Sequence, residues 1–159
     1  MKHIKWFFLV LLLVVIDQLT KLLVYGYLKP HETFEITSFL SITHVHNYGA
    51  AFSFLANEDG WQQYFLVTIS SVASLAIVIW MVKTSRVQVF KLVALSLILS
   101  GAICNLIDRA VLGFVIDFID LHYQDFYWPV FNVADVVITL GVILLILVDL
   151  YDEKQTKNK

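Results

Sequence analysis

Long apolar stretches recur four times along this chain, at about residues 6–23, 64–82, 92–107 and 130–150, with more polar segments between them. A helix rising about 1.5 Å per residue needs roughly 20 such residues to cross a hydrocarbon core of about 30 Å. The pattern therefore predicts four transmembrane helices, with longer loops over 26–63 and 108–129. In the first loop, Thr33 to Thr43 is dense in β-branched and aromatic residues, which predicts short strands and a small sheet resting on the membrane surface. Phe126, Tyr127 and Trp128 in the second loop are aromatics of the kind that settle at a membrane–water interface.

Composition narrows the class. With 59% hydrophobic and 15% charged residues in a chain of 159, there is too little polar surface for a soluble core and room for a single domain, 1–159. Lys2, His3 and Lys5 ahead of the apolar run from Trp6 to Ile16 have the outline of a signal peptide. No small-x-small cleavage site follows, however, and apolar character resumes after Lys21, so the segment is read as an uncleaved helix. Of the 11 basic residues, most fall in three places: Lys2 and Lys5; Lys83, Arg86 and Lys91; Lys154, Lys157 and Lys159. Lysine and arginine mark the cytoplasmic side, so both termini and the linker between spans two and three are expected inside, and both longer loops outside. Topology accounts for the basic residues and the net charge is only −2, so nothing points to nucleic acid. Cys104 is the only cysteine, which excludes an internal disulfide.

Polar residues in or beside the spans then carry the most information, because a charge near lipid is costly and is normally retained for work. Asp17 lies roughly 16 Å, and Lys21 roughly 22 Å, from the inner end of span one. Their i, i+4 spacing puts them on one helix face, where they neutralise each other as a structural pair. Span three delivers Asn105, Asp108 and Arg109 to its outer end, Asn132 and Asp135 lie near the start of span four, and Asp117 belongs to the connection between those spans. Polar groups from three helices and one loop thus gather at one depth. Asp108 beside Arg109 reads either as a snorkelling pair at the rim or with Arg109 orienting a substrate group. Asn47, Asn105 and Asn132 read either as interhelical hydrogen-bonding glue or as parts of a site. Asp117 and Asp135 are harder to assign to packing: neither has a basic residue three or four positions away, so each is an uncompensated acid unless it finds a partner across space.

Two carboxylates held close together do not both ionise readily, so one keeps a proton. Such a pair runs acid and base chemistry together: the ionised acid takes a proton from an attacking water while the protonated one donates to the carbonyl oxygen or the leaving nitrogen. The predicted reaction is peptide-bond hydrolysis at the outer membrane surface, without a cofactor or a metal. His44 and His46 alternate as zinc ligands on a strand would, but no further ligands appear at metal spacing. Cys104 has no histidine in spans three or four to activate it, and Ser70, Ser71, Ser74, Ser96 and Ser100 sit in apolar helix interiors without a nearby base. A small proton-coupled transporter is the alternative function, yet it wants polar residues through the whole membrane thickness, and the inner halves of the spans are almost purely apolar. A non-catalytic assembly subunit, whose cluster only specifies helix pairing, is the other rival.

Five motifs occur in order between residues 17 and 135: Asp17-Gln18-Leu19-Thr20-Lys21, Asn47-Tyr48-Gly49-Ala50-Ala51-Phe52, Asn105-Leu106-Ile107-Asp108-Arg109, Val115-Ile116-Asp117-Phe118 and Phe131-Asn132-Val133-Ala134-Asp135. In these the chain closely resembles the bacterial lipoprotein signal peptidases (signal peptidase II), small four-span aspartic proteases of the inner membrane. The resemblance implies an all-α membrane bundle with a small outer β-sheet cradle. It implies removal of signal peptides from diacylglyceryl-modified prolipoproteins by cleavage just before the lipidated cysteine. Asp117 and Asp135 fall on the family's catalytic positions. Asn47, Asn105, Asp108, Arg109 and Asn132 fall around them, Asn47 and Arg109 as contacts to the substrate backbone, and Asp17 with Lys21 matches a structural motif. Membrane lipid and globomycin-type inhibitors are implied as further ligands, and a monomer is expected. Two departures are Cys104, where the family commonly has glycine, and Val136, where a small hydroxyl residue is frequent; neither removes a catalytic group.

Overall fold

The computed structural model describes residues 3–49 and 60–157, so Ala50, Ala51 and Phe52 of the second motif lie outside the described residues. Four helices, α1 (Ile4–Tyr27), α2 (Trp61–Lys83), α3 (Val89–Leu112) and α4 (Val133–Lys157), alternate with strands β1 (Thr33–Thr37), β2 (Leu40–Asn47), β3 (Val115–Tyr123) and β4 (Phe126–Tyr127). All four helices are long and apolar enough to cross a membrane, and the chain is a multi-pass membrane protein.

The helices overrun the expected spans, and the difference matters most in α3. Asp108 and Arg109, expected at the head of the second loop, lie within the helix. Its hydrogen bonds continue until Gly113, which adopts φ 86° and donates its N–H to the Arg109 carbonyl at 3.1 Å. A glycine in the left-handed region ends a helix in this way at no steric cost. Asn132 differs in the opposite sense: expected inside span four, it immediately precedes α4.

The strands form one antiparallel sheet in the order β1-β2-β3-β4. Asp117, expected on a connection, sits on the nine-residue strand β3, opposite Val45 of β2. The register between β2 and β3 shifts between Ile42 and Val45, a bulge that re-aims the residues beyond it, Asn47 included. The sheet closes the end of the bundle where α1 and α3 finish and α2 and α4 begin. Val24, Ile116 and Phe118 form an apolar cluster that seats it on α1. A second cluster, Trp6, Val10, Met81, Leu92, Leu95 and Leu99, joins α1, α2 and α3 toward the opposite end.

Helix α3 is the axis of the bundle, with α1, α2 and α4 all packed against it. Helix α4 approaches it closely at two glycines. A Cβ on Gly101 would run into the Ala134 carbonyl and the Ile138 side chain, and one on Gly141 would lie 2.8 Å from the Ala94 carbonyl. Small residues permit such approach where lipid tails supply no hydrophobic drive for helices to associate. The outer faces of α1, α2 and α4 expose apolar side chains such as Leu22, Val72 and Leu147, a surface suited to hydrocarbon.

Candidate active site

The polar residues of α1, α3, β2, β3 and the start of α4 meet beneath the sheet. Helix α4 begins with a reciprocal cap: the Asp135 N–H donates to Asn132 Oδ1 at 3.1 Å, and the Asn132 N–H donates to Asp135 Oδ2 at 3.2 Å. Two of the otherwise unpaired groups at this terminus are satisfied in that exchange, and the acid sits at the positive end of the helix dipole. A third, the Ala134 N–H, donates to Asp17 Oδ1 of α1 at 2.8 Å. One turn along α1 from Asp17, Lys21 is buried and pairs with Asp17 at 2.9 Å and with Asp108 at 2.8 Å. The expected pair is therefore a triad that ties α1 to α3 and α4. Asp108 also accepts from Gln18 Nε2 at 2.7 Å. The rim pairing of Asp108 with Arg109 is overturned: successive residues on a helix point about 100° apart, so Asp108 faces α1 while Arg109 turns the other way. There Arg109 Nη2 donates to the Gly49 carbonyl at 2.9 Å and Nη1 to the Asn105 carbonyl at 3.3 Å, and Nε finds no acceptor among the described residues.

In place of basic neighbours, Asp117 and Asp135 are each met by asparagine amides. Asp117 Oδ1 accepts from Asn132 Nδ2 at 2.6 Å and Oδ2 from Asn47 Nδ2 at 2.9 Å; Asp135 Oδ1 accepts from Asn105 Nδ2 at 3.0 Å. Asn132 and Asn105 also touch, Nδ2 to Oδ1 at 3.4 Å, so a chain of amides runs from one carboxylate to the other. Burial of Asp117 and the neighbouring charge of Asp135 push its carboxyl up to about 6, against the opposing pull of the Asn47 and Asn132 amides and of Lys21.

Both acids line a single cavity of about 670 Å³ together with Asn47, Asn105 and Arg109. Its floor is polar. Its flank is apolar, with Leu66 and Ile69 of α2 on one side and Val136, Ile138 and Leu140 of α4 on the other. The space is large enough for a peptide segment with an apolar appendage, and its chemistry is that of two carboxyl groups bordering one space with amide and guanidinium donors around them. Asp17, Lys21 and Asp108 do not line it. Val136 does, whereas Cys104 is buried within α3.

The two histidines weighed as zinc ligands are engaged elsewhere. The Leu28 carbonyl, 2.8 Å from His44 Nδ1, obliges that nitrogen to carry the hydrogen, which leaves His44 Nε2 to accept from His46 Nε2 at 3.0 Å while both rings are neutral. His46 also stacks on Phe114, and burial with the nearby His44 and His31 lowers its pKa. Gln18 and Gly101 had no assigned role in the sequence. Gln18 has a readable signal, a polar residue inside a span; Gly101 has one only once α4 is known to lie against it.

Comparison with known proteins gives concordant matches. The family model for signal peptidase (SPase) II matches residues 9–151. The chain is 44% identical over 156 residues to the lipoprotein signal peptidase of Pseudoalteromonas atlantica, covering 98% of this chain and 94% of that one. It is also 44% identical to that of Acinetobacter baumannii over 96% of this chain and 87% of the relative. A bacterial membrane enzyme solved at 2.3 Å superposes with a TM-score of 0.87 at 35% identity, covering 98% of this chain and 93% of that one.

Proposed function

The chain belongs to the signal peptidase II family, and from that premise we propose that it is an aspartic endopeptidase removing the signal peptide from diacylglyceryl-modified prolipoproteins, with Asp117 and Asp135 as its catalytic pair. The observation that carries the catalytic assignment is the shared cavity: the buried carboxyl of Asp117 on β3 and the half-buried carboxyl of Asp135 in the first turn of α4 border one space and are linked by amides. The upward shift of Asp117 favours it as the carboxyl that retains a proton. Ionised Asp135 then takes a proton from water as the oxygen attacks the scissile carbonyl, and Asp117 gives its proton to the carbonyl oxygen. Collapse of the resulting gem-diol breaks the C–N bond, with a proton passing to the leaving nitrogen. Arg109 Nε and the Asn47 amide are donors suited to the substrate backbone. The apolar flank between α2 and α4 suits the diacylglyceryl chains and the signal helix, and globomycin-type inhibitors would occupy the same space.

The enzyme is proposed to work as a monomer in the bacterial inner membrane, with both termini cytoplasmic and the sheet on the outer side. A substrate anchored by lipid in the outer leaflet presents its cleavage point near that boundary, which is the level of the acids in this orientation. A proton-coupled transporter finds no support: the family match is to a peptidase, and the bundle beyond Asp17 and Asn105 is filled by the apolar Trp6–Leu99 cluster.

The test is to express Asp117→Asn and Asp135→Asn separately and follow cleavage of a lipid-modified prolipoprotein by the purified enzymes. Each substitution is expected to lower kcat by about 10²–10⁴, the span of a general acid or base. Full turnover by either variant rejects the dyad.

A further inference from the structure

Lys21 does not border the cavity, yet it touches a group that does. Its ammonium lies 3.0 Å from Asn105 Oδ1, in addition to the ion pairs with Asp17 and Asp108. An ammonium has three hydrogens to donate and nothing with which to accept. It therefore admits one orientation of the Asn105 side chain, with the oxygen toward Lys21 and the NH2 toward Asp135 Oδ1.

The other two amides at the site are oriented differently. The Gly49 N–H donates to Asn47 Oδ1 at 3.0 Å, and the Asp135 N–H donates to Asn132 Oδ1. Backbone donors fix those two locally. Among the described residues, Asn105 has no backbone donor on its oxygen, only Lys21 and the long contact from Asn132 Nδ2. Turned over, its oxygen would face Asp135, two acceptors together, and its NH2 would face the ammonium and the Asn132 NH2.

We propose that Lys21 is a positioning residue of the reaction, which fixes the Asn105 amide so that its NH2 is always presented to Asp135 and that carboxylate is held as the ionised partner of the pair. The Asp17–Lys21–Asp108 triad is then more than a clamp between helices. Asp17 and Asp108 hold the ammonium in place from α1 and α3, and Asn105 passes its orientation on to the site. The inference rests on the catalytic reading of Asp117 and Asp135. Among the described residues, the charged groups bearing on Asp135 are Asp117 from β3, Arg109 from α3 and Lys21 from α1. Lys21 is the one among them that also fixes the amide bonded to it.

The experiment uses the full-length enzyme in detergent with a diacylglyceryl-modified prolipoprotein as substrate, comparing wild type, Lys21→Met, the charge-matched double variant Lys21→Met/Asp108→Asn, Asn105→Leu, and Lys21→Met combined with Asn105→Leu. Loss of Lys21 is expected to lower kcat on the order of 10–100-fold, as when the outer partner of an oriented ligand is removed, with KM little changed. The acid limb of the kcat profile should move to higher pH, since Asp135 loses both a cation and an assured donor. Combining Lys21→Met with Asn105→Leu should cost no more than the worse single change, because both act through one amide. Should Lys21→Met fail to fold, the charge-matched variant supplies the same comparison with one buried acid, Asp17, left without a cation where the single variant leaves two. A retained acid limb, or multiplying losses in the combined variant, overturns the proposal and leaves Lys21 a packing residue. Failure of the dyad itself is read separately, from Asp117→Asn and Asp135→Asn.

Discussion

Three asparagines make the pairing of Asp117 with Asp135 tolerable in a buried place. Each acid has an amide NH2 on at least one oxygen, which satisfies a lone pair without neutralising the charge as a lysine or arginine would. The carboxyls therefore stay sensitive to one another. Asp117 is held up to about 6 first by burial and second by the charge of Asp135. Its neutral form is present below that value and lost above it, so the alkaline limb of kcat/KM in the free enzyme should report this ionisation, and activity should also decline in acid as both carboxyls become protonated. Asp135→Asn removes the like charge while leaving the burial. The Asp117 titration is then expected to move below about 6, followed by the infrared carboxyl band of the inactive variant; an unmoved midpoint would mean that the two groups do not sense each other.

At the scale of elements, the site depends on how closely α4 lies against α3, because the cap that orients Asn132 and Asp135 begins at that contact. Gly101→Ala drives a methyl group into the Ala134 carbonyl, one residue from Asp135. It is expected to cost about 1–3 kcal/mol, as overpacking does, and to lower turnover in the same variant, measured as detergent Tm and as prolipoprotein cleavage. Gly26→Ala, in α1 with no neighbour within 4 Å of the added carbon, should leave both unchanged; equal effects from the two would refute the close-contact argument. The elements were unequally legible. Four spans follow from hydropathy, which needs no partner, and the strand content near Thr33 follows from local composition. Strand β3 was hidden because its pairing to β2 spans some seventy residues of chain, and a segment buried on both faces at its start, Val115 to Phe118, shows no alternation. The Asn132-x-x-Asp135 cap was readable as a helix start but passed for the interior of a hydrophobic run. Asp117 and Asp135 were legible as acids without a local counter-charge. Their asparagine bridge, and the turning of Asp108 toward Lys21 and away from Arg109, depend on helix faces that only the packed bundle defines.

For the whole molecule, the polar cavity lies at one end and apolar packing with a basic fringe at the other, so orientation decides which side of the membrane the proposed reaction serves. The sheet, the cavity and the α4 cap occupy the end where α1 and α3 finish. The opposite end carries Lys83, Arg86 and Lys91 around the α2–α3 link, together with the basic C-terminal residues Lys154 and Lys157. In the proposed orientation that end lies inside, where positive charge is retained. Cysteines introduced singly at Asp125, exposed in the β3–β4 turn, and at Arg86, exposed in the α2–α3 link, report on the two ends. In intact bacteria opened only at the outer membrane, an impermeant maleimide should label the cysteine at position 125 at once and the one at 86 only after lysis, while buried Cys104 stays silent. The reverse pattern would put the acids on the cytoplasmic side, away from a substrate whose lipid is anchored in the outer leaflet, and the proposed reaction would lose its access to the cleavage point.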